Sequence, residues 1–325
     1  MEKIMNNHNP MHVPVLLEAV VRNALPENGK IFADCTFGLG GHTKAILDEY
    51  PQITKVFAVD RDAEILNYSI DKNPDPRIAR FQAKASELPE VLEHTGCKGA
   101  DGILLDLGVS SYQLDSSERG FSFMRSGPLD MRMDKRDKIT AENIVNTYEK
   151  SELEHIFFEY GEEKFARRIT DAIIRKRAEK TITTTEDLAK IICDAVPAAN
   201  KSKKHIHPAT RVFQALRIEV NNELGEIEDF LAVALDCLNP GGHLSIISFH
   251  SLEDRLIKNF MQKFAKGCDC PPNFPVCVCG KKPTLEVLTK KAIFADEDEI
   301  AVNPRSRSAR LRCCKKIITV NHEKA

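Results

Sequence analysis

Short, almost unbroken apolar runs separated by helix-like stretches constrain this chain more than any other feature. Residues 30–38 (KIFADCTFG), 56–60 (VFAVD), 78–83 and 101–108 (DGILLDLG) read as strands, with helices over 41–50 and from Ala63 between them. Strands apolar on both faces and divided by helices predict a buried parallel sheet. The pattern breaks from about 115 to 140, which is polar and irregular, and helices without strands follow. Ser151 with Glu154 suggests one helix start and Gly161 its end; Phe165, Ile169, Ala172 and Ile173 give the next an apolar stripe; Thr184 with Asp187 caps a third, stopped by Pro197.

The sheet pattern then resumes. Helices over 211–223 and 227–238 lead to the turn Asn239-Pro240-Gly241-Gly242 and a fifth strand, 243–249. A helix capped by Ser251 and Asp254 runs to about Lys266, and strands at 285–289 and 309–314 close the chain. The expectation is a Rossmann-like α/β fold with seven strands, one of them reversed. Residues 1–114 and 211–325 would form the sheet domain, and 115–210 an inserted helical domain.

The glycine-rich segment Asp34-Cys35-Thr36-Phe37-Gly38-Leu39-Gly40-Gly41-His42 falls between the first strand and first helix, where backbone can approach a ligand closely. Asp60 ends the second strand, 22 residues past Gly38, placed to accept hydrogen bonds from both hydroxyls of a ribose. A dinucleotide wants G-x-G-x-x-G so that its pyrophosphate meets a helix N-terminus. Here the third glycine is missing, which favours S-adenosylmethionine over a nicotinamide cofactor. Asp106 ends the fourth strand, either beside the reacting groups or as a cap for the loop that follows.

Hydrophobic residues make up 42% of the chain and charged residues 29%, as in ordinary globular proteins. No apolar run approaches the ~20 residues of a membrane span. Residues 1–10 are polar and lack the apolar core of a signal peptide, so a cytoplasmic location, with no membrane partner, is expected. The ten cysteines are then expected to be reduced. Four of them, Cys268, Cys270, Cys277 and Cys279, form two C-x-C pairs that could hold zinc. The usual spacing is C-x-x-C, and the preferred expectation is a reduced, Pro-rich surface loop without metal.

Net charge is −2, but residues 164–180 hold seven Lys or Arg against Asp171 and Glu179, and Lys201, Lys203, Lys204 and Arg211 follow. Such fields attract phosphate; a solvated helix face, or an RNA-binding protein with no catalysis, explains the same charges.

Taken together, the chain closely resembles the bacterial RsmH methyltransferases, formerly called MraW. The resemblance rests on His12-Val13-Pro14-Val15-Leu16, the glycine segment, DGILLDLGVSSYQLDSSERGFSF from Asp101, PLDMRM from Pro128, the stretch from Thr210 to Asn222, SFHSLEDR from Ser248 and Asn303-Pro304-Arg305-Ser306. It implies a class I S-adenosylmethionine-dependent fold that methylates the 4-amino nitrogen of a cytidine in the decoding region of small-subunit rRNA. The partner would be that rRNA within a subunit particle; a homodimer is left open. Cofactor contacts carried over are Gly40, Gly41, His42, Asp60, Asp106 and Gln113. The family also has an aromatic residue just after the third strand, where this chain has Ala85.

The cytosine amino nitrogen is a weak nucleophile, so donor and acceptor must be aligned and a proton removed. Asp106, Ser110 and His250 are the catalytic candidates. Asp106-Leu107-Gly108-Val109 stands where many amino-methyltransferases have an acid-Pro-Pro-aromatic motif. Carbon-5 methylation would need a cysteine on that loop, and none lies between Cys97 and Cys193. Phe249 could stack on the base or simply pack in its strand.

Overall fold

The computed structural model describes residues 14–197, 207–268, 270, 271, 274–276 and 278–318. Its strands are β1 (Ile31–Asp34), β2 (Lys55–Asp60), β3 (Ile78–Gln82), β4 (Ala100–Asp106), β5 (Leu238–Ser248), β6 (Leu285–Val287) and β7 (Arg310–Lys316). They form one sheet in the order β3-β2-β1-β4-β5-β7-β6. β1 to β5 run parallel, and β7 is antiparallel to both its neighbours. One reversed strand in seven is what the sequence predicts.

The helices are α1 (Leu17–Asn23), α2 (Gly41–Glu49), α3 (Ala63–Lys72), α4 (Leu88–His94), α5 (Ser111–Asp115), α6 (Ala141–Thr147), α7 (Lys150–Glu159), α8 (Ala166–Glu179), α9 (Thr185–Ala195), α10 (Ala209–Asn221), α11 (Glu223–Ala234), α12 (Ser251–Lys266) and α13 (Glu297–Val302). Alternation along the strands sends side chains to two cores. Phe32, Val56, Ala58 and Leu104 pack on one face with Ile46 of α2. Ala33, Phe57, Val59, Ile103 and Leu105 pack on the other with Phe230 of α11. A third cluster lies among α6 to α10, where Ile144, Phe157, Ile169, Leu188 and Leu216 meet Leu129 of the irregular segment.

From β1 the chain winds outward to β3, then crosses back to place β4 on the other side of β1. That reversal leaves a crevice beyond the carboxyl ends of β1 and β4.

Four local expectations need correction. α7 is capped two residues earlier than Ser151 suggests, because the Glu149 and Glu152 side chains make the reciprocal box. α12 is capped by His250 with Glu253, not by Ser251 with Asp254. Asn239 to Gly242 is not a separate turn but the start of β5, whose register with β4 shifts between Ala100 and Gly102. β1 stops at Asp34, although the Cys35 N–H still donates to the Leu104 carbonyl of β4 at 2.9 Å.

Candidate active site

The crevice is a cavity of about 1120 Å³ lined by Gly38, Gly41, His42, Asp60, Ala85, Asp106, Ser110 and Gln113, among others. Gly38 and Gly40 have positive φ, 53° and 75°. Gly40 starts α2, and a Cβ there would lie 2.6 Å from the Phe37 ring; at Gly41 it would lie 2.5 Å from Pro14. The loop is thus as tight as its glycines allow. Asp60 fixes it, accepting from the Gly38 N–H and the Asp62 N–H at 2.9 Å each. Burial pushes the Asp60 carboxyl up to about 6, against the opposing pull of those two N–H groups.

Two more carboxyls stand beside it. Asp34 accepts from the Thr43 hydroxyl at 2.7 Å, and burial raises it to about 7. Asp106 is raised to about 8, first by burial and then by the charges of Asp34 and Glu253. Its side chain keeps 26% exposure, yet Oδ1 is shielded and has no hydrogen-bond partner among the described residues. Burial is the main cause in all three, with the charge of Asp60 adding to Asp34 and the charge of Asp34 adding to Asp106.

Ser110 and Gln113 form the reciprocal cap of α5: the Gln113 N–H donates to Ser110 Oγ at 3.2 Å and Gln113 Oε1 accepts from the Ser110 N–H at 3.0 Å. Gln113 Nε2 also donates to Asp62 at 2.8 Å, and Asp62 pairs with Arg119 at 2.7 Å. Asp62 and Arg119 are both buried, and Arg119 donates to the Arg132 and Met133 carbonyls as well. Sequence reading missed this pair, and residues 57 apart carry no signal for it.

His250 is not a lining residue; its neighbours Phe249 and Glu253 are. His250 Nδ1 accepts weakly from the Glu253 N–H at 3.5 Å, and its Nε2 lies 3.1 Å from Glu253 Oε1. Glu253, fully buried, accepts from the Phe249 N–H at 2.7 Å. Burial works to raise Glu253, but His250, that N–H and Arg217 outweigh it and hold the carboxyl below its usual value. Glu223, His250 and Glu253 offer one donor atom each within 4.8 Å. Arg217 already neutralises Glu223 through contacts of 2.7 and 2.8 Å, so no cation is required there. Ala85 opens a short turn after β3 that is pinned where the Ser86 N–H donates to Glu226 at 2.9 Å, so it offers the cavity a methyl and backbone but no ring.

Three of the four clustered cysteines converge: Cys268, Cys270 and Cys279 have sulfurs within 4.8 Å of one another. Cys277 lies outside the described residues, as do His12, Val13, Lys201, Lys203 and Lys204. On α8, Arg167 and Arg168 are exposed, while Arg177 is turned inward onto the Val145 and Tyr148 carbonyls. No helix among the described residues is long and apolar enough to cross a membrane.

A switch point between β1 and β4, one reversed strand near the edge, and a carboxylate rather than a phosphate cradle behind the glycine loop are the architecture of class I S-adenosylmethionine-dependent methyltransferases. Within that class, the model of the MraW methylase family matches residues 9–317, and the chain belongs to that family. Relatives named ribosomal RNA small subunit methyltransferase H include one from Heliobacterium mobile, 46% identical over 310 residues, 94% of this chain and 99% of that one. Another, from Carboxydothermus hydrogenoformans, is 46% identical over 309 residues, 94% of this chain and 98% of its own length. Among solved structures, an rRNA methylase from Streptococcus thermophilus covers 93% of each chain at 9% identity and a TM-score of 0.39, too distant to bear on the site.

Proposed function

We propose that this chain transfers a methyl group from S-adenosylmethionine to the exocyclic N4 of a cytidine in the decoding region of small-subunit rRNA, acting on a ribosomal subunit particle in the cytoplasm. The observation that carries the reading is Asp106: a carboxyl oxygen shielded from water, without a partner among the described residues, at the end of β4 beside the glycine loop. Such an acceptor suits an amino group that must align its lone pair and then lose a proton.

The cofactor supplies, when bound, a methyl group already activated on a sulfonium. Asp60 uses one lone pair of each oxygen on backbone N–H groups and keeps the others for ribose hydroxyls. Gly41, His42 and Ala85 line the wall and would contact the cofactor, Gly40 would do so through the turn that starts α2, and Gln113 holds the α5 side through Asp62. A cation in the cleft favours ionised Asp106; once that charge is spent, the carboxyl's preference for a proton returns. Asp106 thereby accepts the proton that N4 gives up. Ser110 and His250 act by capping α5 and α12, which keeps Asp106 and Glu253 in place. Cys35 lines the cavity, but burial pushes its thiol up, so no thiolate is ready for carbon-5 chemistry.

Residues 1–114 and 211–325 serve as the methyltransferase domain, and 115–210 as the unit that holds RNA. α10 joins them, with Phe213 and Leu216 in the helical core and Arg217 in the cavity wall. The test is mass spectrometry of small-subunit rRNA nucleosides from a deletion strain complemented with wild-type or Asp106→Asn protein. N4-methylcytidine should vanish on deletion and return only with the wild type. Its persistence in the deletion strain would end the proposal.

A further inference from the structure

We infer that Cys268, Cys270 and Cys279 bind a zinc ion that staples the loop between α12 and β6, a site apart from the cofactor cleft and independent of the methyl-transfer reading. Cysteine spacing alone favours a metal-free loop; the positions of the sulfurs favour a metal. Cys268 Sγ and Cys279 Sγ are 3.8 Å apart, and all three sulfurs lie within 4.8 Å of one another. Zinc–sulfur bonds of ~2.3 Å in a tetrahedron put neighbouring sulfurs about 3.8 Å apart, so Cys268 and Cys279 already stand at one edge of that figure. Soft thiolates select zinc over calcium or magnesium.

The loop itself explains why a staple is needed. Its neck is closed: Gly267 ends α12 with φ 64°, a Cβ there would lie 2.2 Å from the Pro283 nitrogen, and the Thr284 N–H donates to the Phe264 carbonyl at 3.0 Å. Between those points the loop's large apolar side chains face outward, with Phe274 52%, Val276 69% and Val278 73% exposed. Among the described residues these side chains form no apolar core, and a metal would give such a loop a fixed shape. Gly280, φ 65°, turns the chain immediately after Cys279.

The site is structural. α12 has 16 residues, and its first turn carries Glu253 of the cleft while its last residue precedes Gly267. A helix of that length spans ~24 Å. Zinc binding is therefore not expected to touch the cofactor.

The experiment uses the full chain, purified with a reductant and without a metal-affinity step. Elemental analysis should find about one zinc per chain, falling to near zero in Cys268→Ser and Cys279→Ser. The cobalt-loaded wild type should show the intense near-ultraviolet thiolate-to-cobalt band, weakened in each variant. Cleavage of the loop by protease should speed up when zinc is removed, while calorimetric affinity for S-adenosylmethionine stays the same. Should the variants fail to fold, titrating wild-type protein with a mercurial and reading released zinc with a dye gives the same stoichiometry. Protein free of zinc after growth in zinc-supplemented medium, zinc retained in both serine variants, iron in its place, or a Cys268–Cys279 disulfide by mass would each overturn the inference.

Discussion

Asp106 Oδ2 lies 3.8 Å from Nδ1 of His42, and Nε2 of the same ring is 2.9 Å from the Val15 carbonyl oxygen. A carbonyl only accepts, so Nε2 carries a proton and the other ring nitrogen is the one that faces Asp106. Asp106 is buried, and the charges of Asp34 and Glu253 act on it. Its raised carboxyl follows from an environment that offers it burial and negative charge. This is a poor place for a resting carboxylate and a good one for a carboxyl that must take up a proton.

Asp106→Asn separates chemistry from stability. Removing a positioned proton acceptor should lower the single-turnover rate by roughly 10²–10⁴. The ligand-free fold should respond in the other direction. Burial raises Asp106 from 3.8 to about 8, so its contribution is fully present below pH 4 and is lost as pH rises through 8. Asparagine has no such loss. The variant is expected to match wild type near pH 4 and to be more stable at pH 9, by on the order of 1–3 kcal/mol. Urea melts at the two pH values check this; a variant less stable at pH 9 would show that Asp106 is not held against its charge.

Cofactor affinity should depend on pH for the same reason. Asp60 and Asp106 stand at about 6 and about 8, and a cationic ligand favours their ionised forms. Binding of S-adenosylmethionine should tighten from pH 5.5 to 8.5, whereas S-adenosylhomocysteine, without the sulfonium charge, should give a flatter profile. Asp60→Ala should weaken both by roughly 1.5–3 kcal/mol, about ten- to a hundredfold, as the ribose acceptor goes. Calorimetry across the range tests both statements. Parallel pH profiles for the two ligands would remove the carboxyls from the account of charge.

The sheet was legible because its strands are buried on both faces. Phe57-Ala58-Val59 in β2 and Ile103-Leu104-Leu105 in β4 read as apolar without interruption, and that is how a central parallel strand must read. Asp60 and the glycine loop were legible for a related reason: both sit where a strand has to end. The caps were harder. Ser251 looks like a better cap than His250, but Glu253 reaches back to the Phe249 and His250 N–H groups and fixes the start one residue earlier. The charge pattern overstated the α8 surface, because Arg177 is used on carbonyls and Lys176 pairs with Glu179. The Asp62–Arg119 pair depends on tertiary contact, which no local pattern encodes.

That buried pair carries its own consequence. Arg119 and Asp62 are 4% and 2% exposed, and the pair links α3 to the segment that leads into the helical cluster. Arg119→Ala would leave Asp62 with one donor fewer in a dry setting and release two carbonyls. Breaking a buried pair from one side costs about 3–5 kcal/mol. Loss of that order in urea unfolding is expected. Arg119→Lys should recover only part of it, since one ammonium cannot reach Asp62, Glu64 and both carbonyls together. A loss below about 1 kcal/mol for the alanine variant would mean that the site hydrates freely.

Arg167 and Arg168 extend from α8 into solvent, Arg167 at 90% side-chain exposure with a long 3.9 Å contact to Glu154. If the helical unit holds the rRNA backbone, these arginines and Lys203, which lies outside the described residues, are where phosphates would sit. Phosphate contacts release counterions, so RNA binding should weaken steeply with salt, with a slope of about 0.7 for each contact to a single strand. Reversing Arg167, Arg168 and Lys203 to Glu should weaken binding and flatten that slope by about 2. Affinity for S-adenosylmethionine should stay as it was, because the α8 side chains pack in the third cluster and not against the cleft. Filter binding of small-subunit rRNA across a salt series, beside cofactor calorimetry, measures both. Unchanged RNA affinity in the triple variant would make these charges a solvated helix face. The path of the RNA would then be sought at the cavity mouth, where Arg305 reaches Ser111 and Asp115.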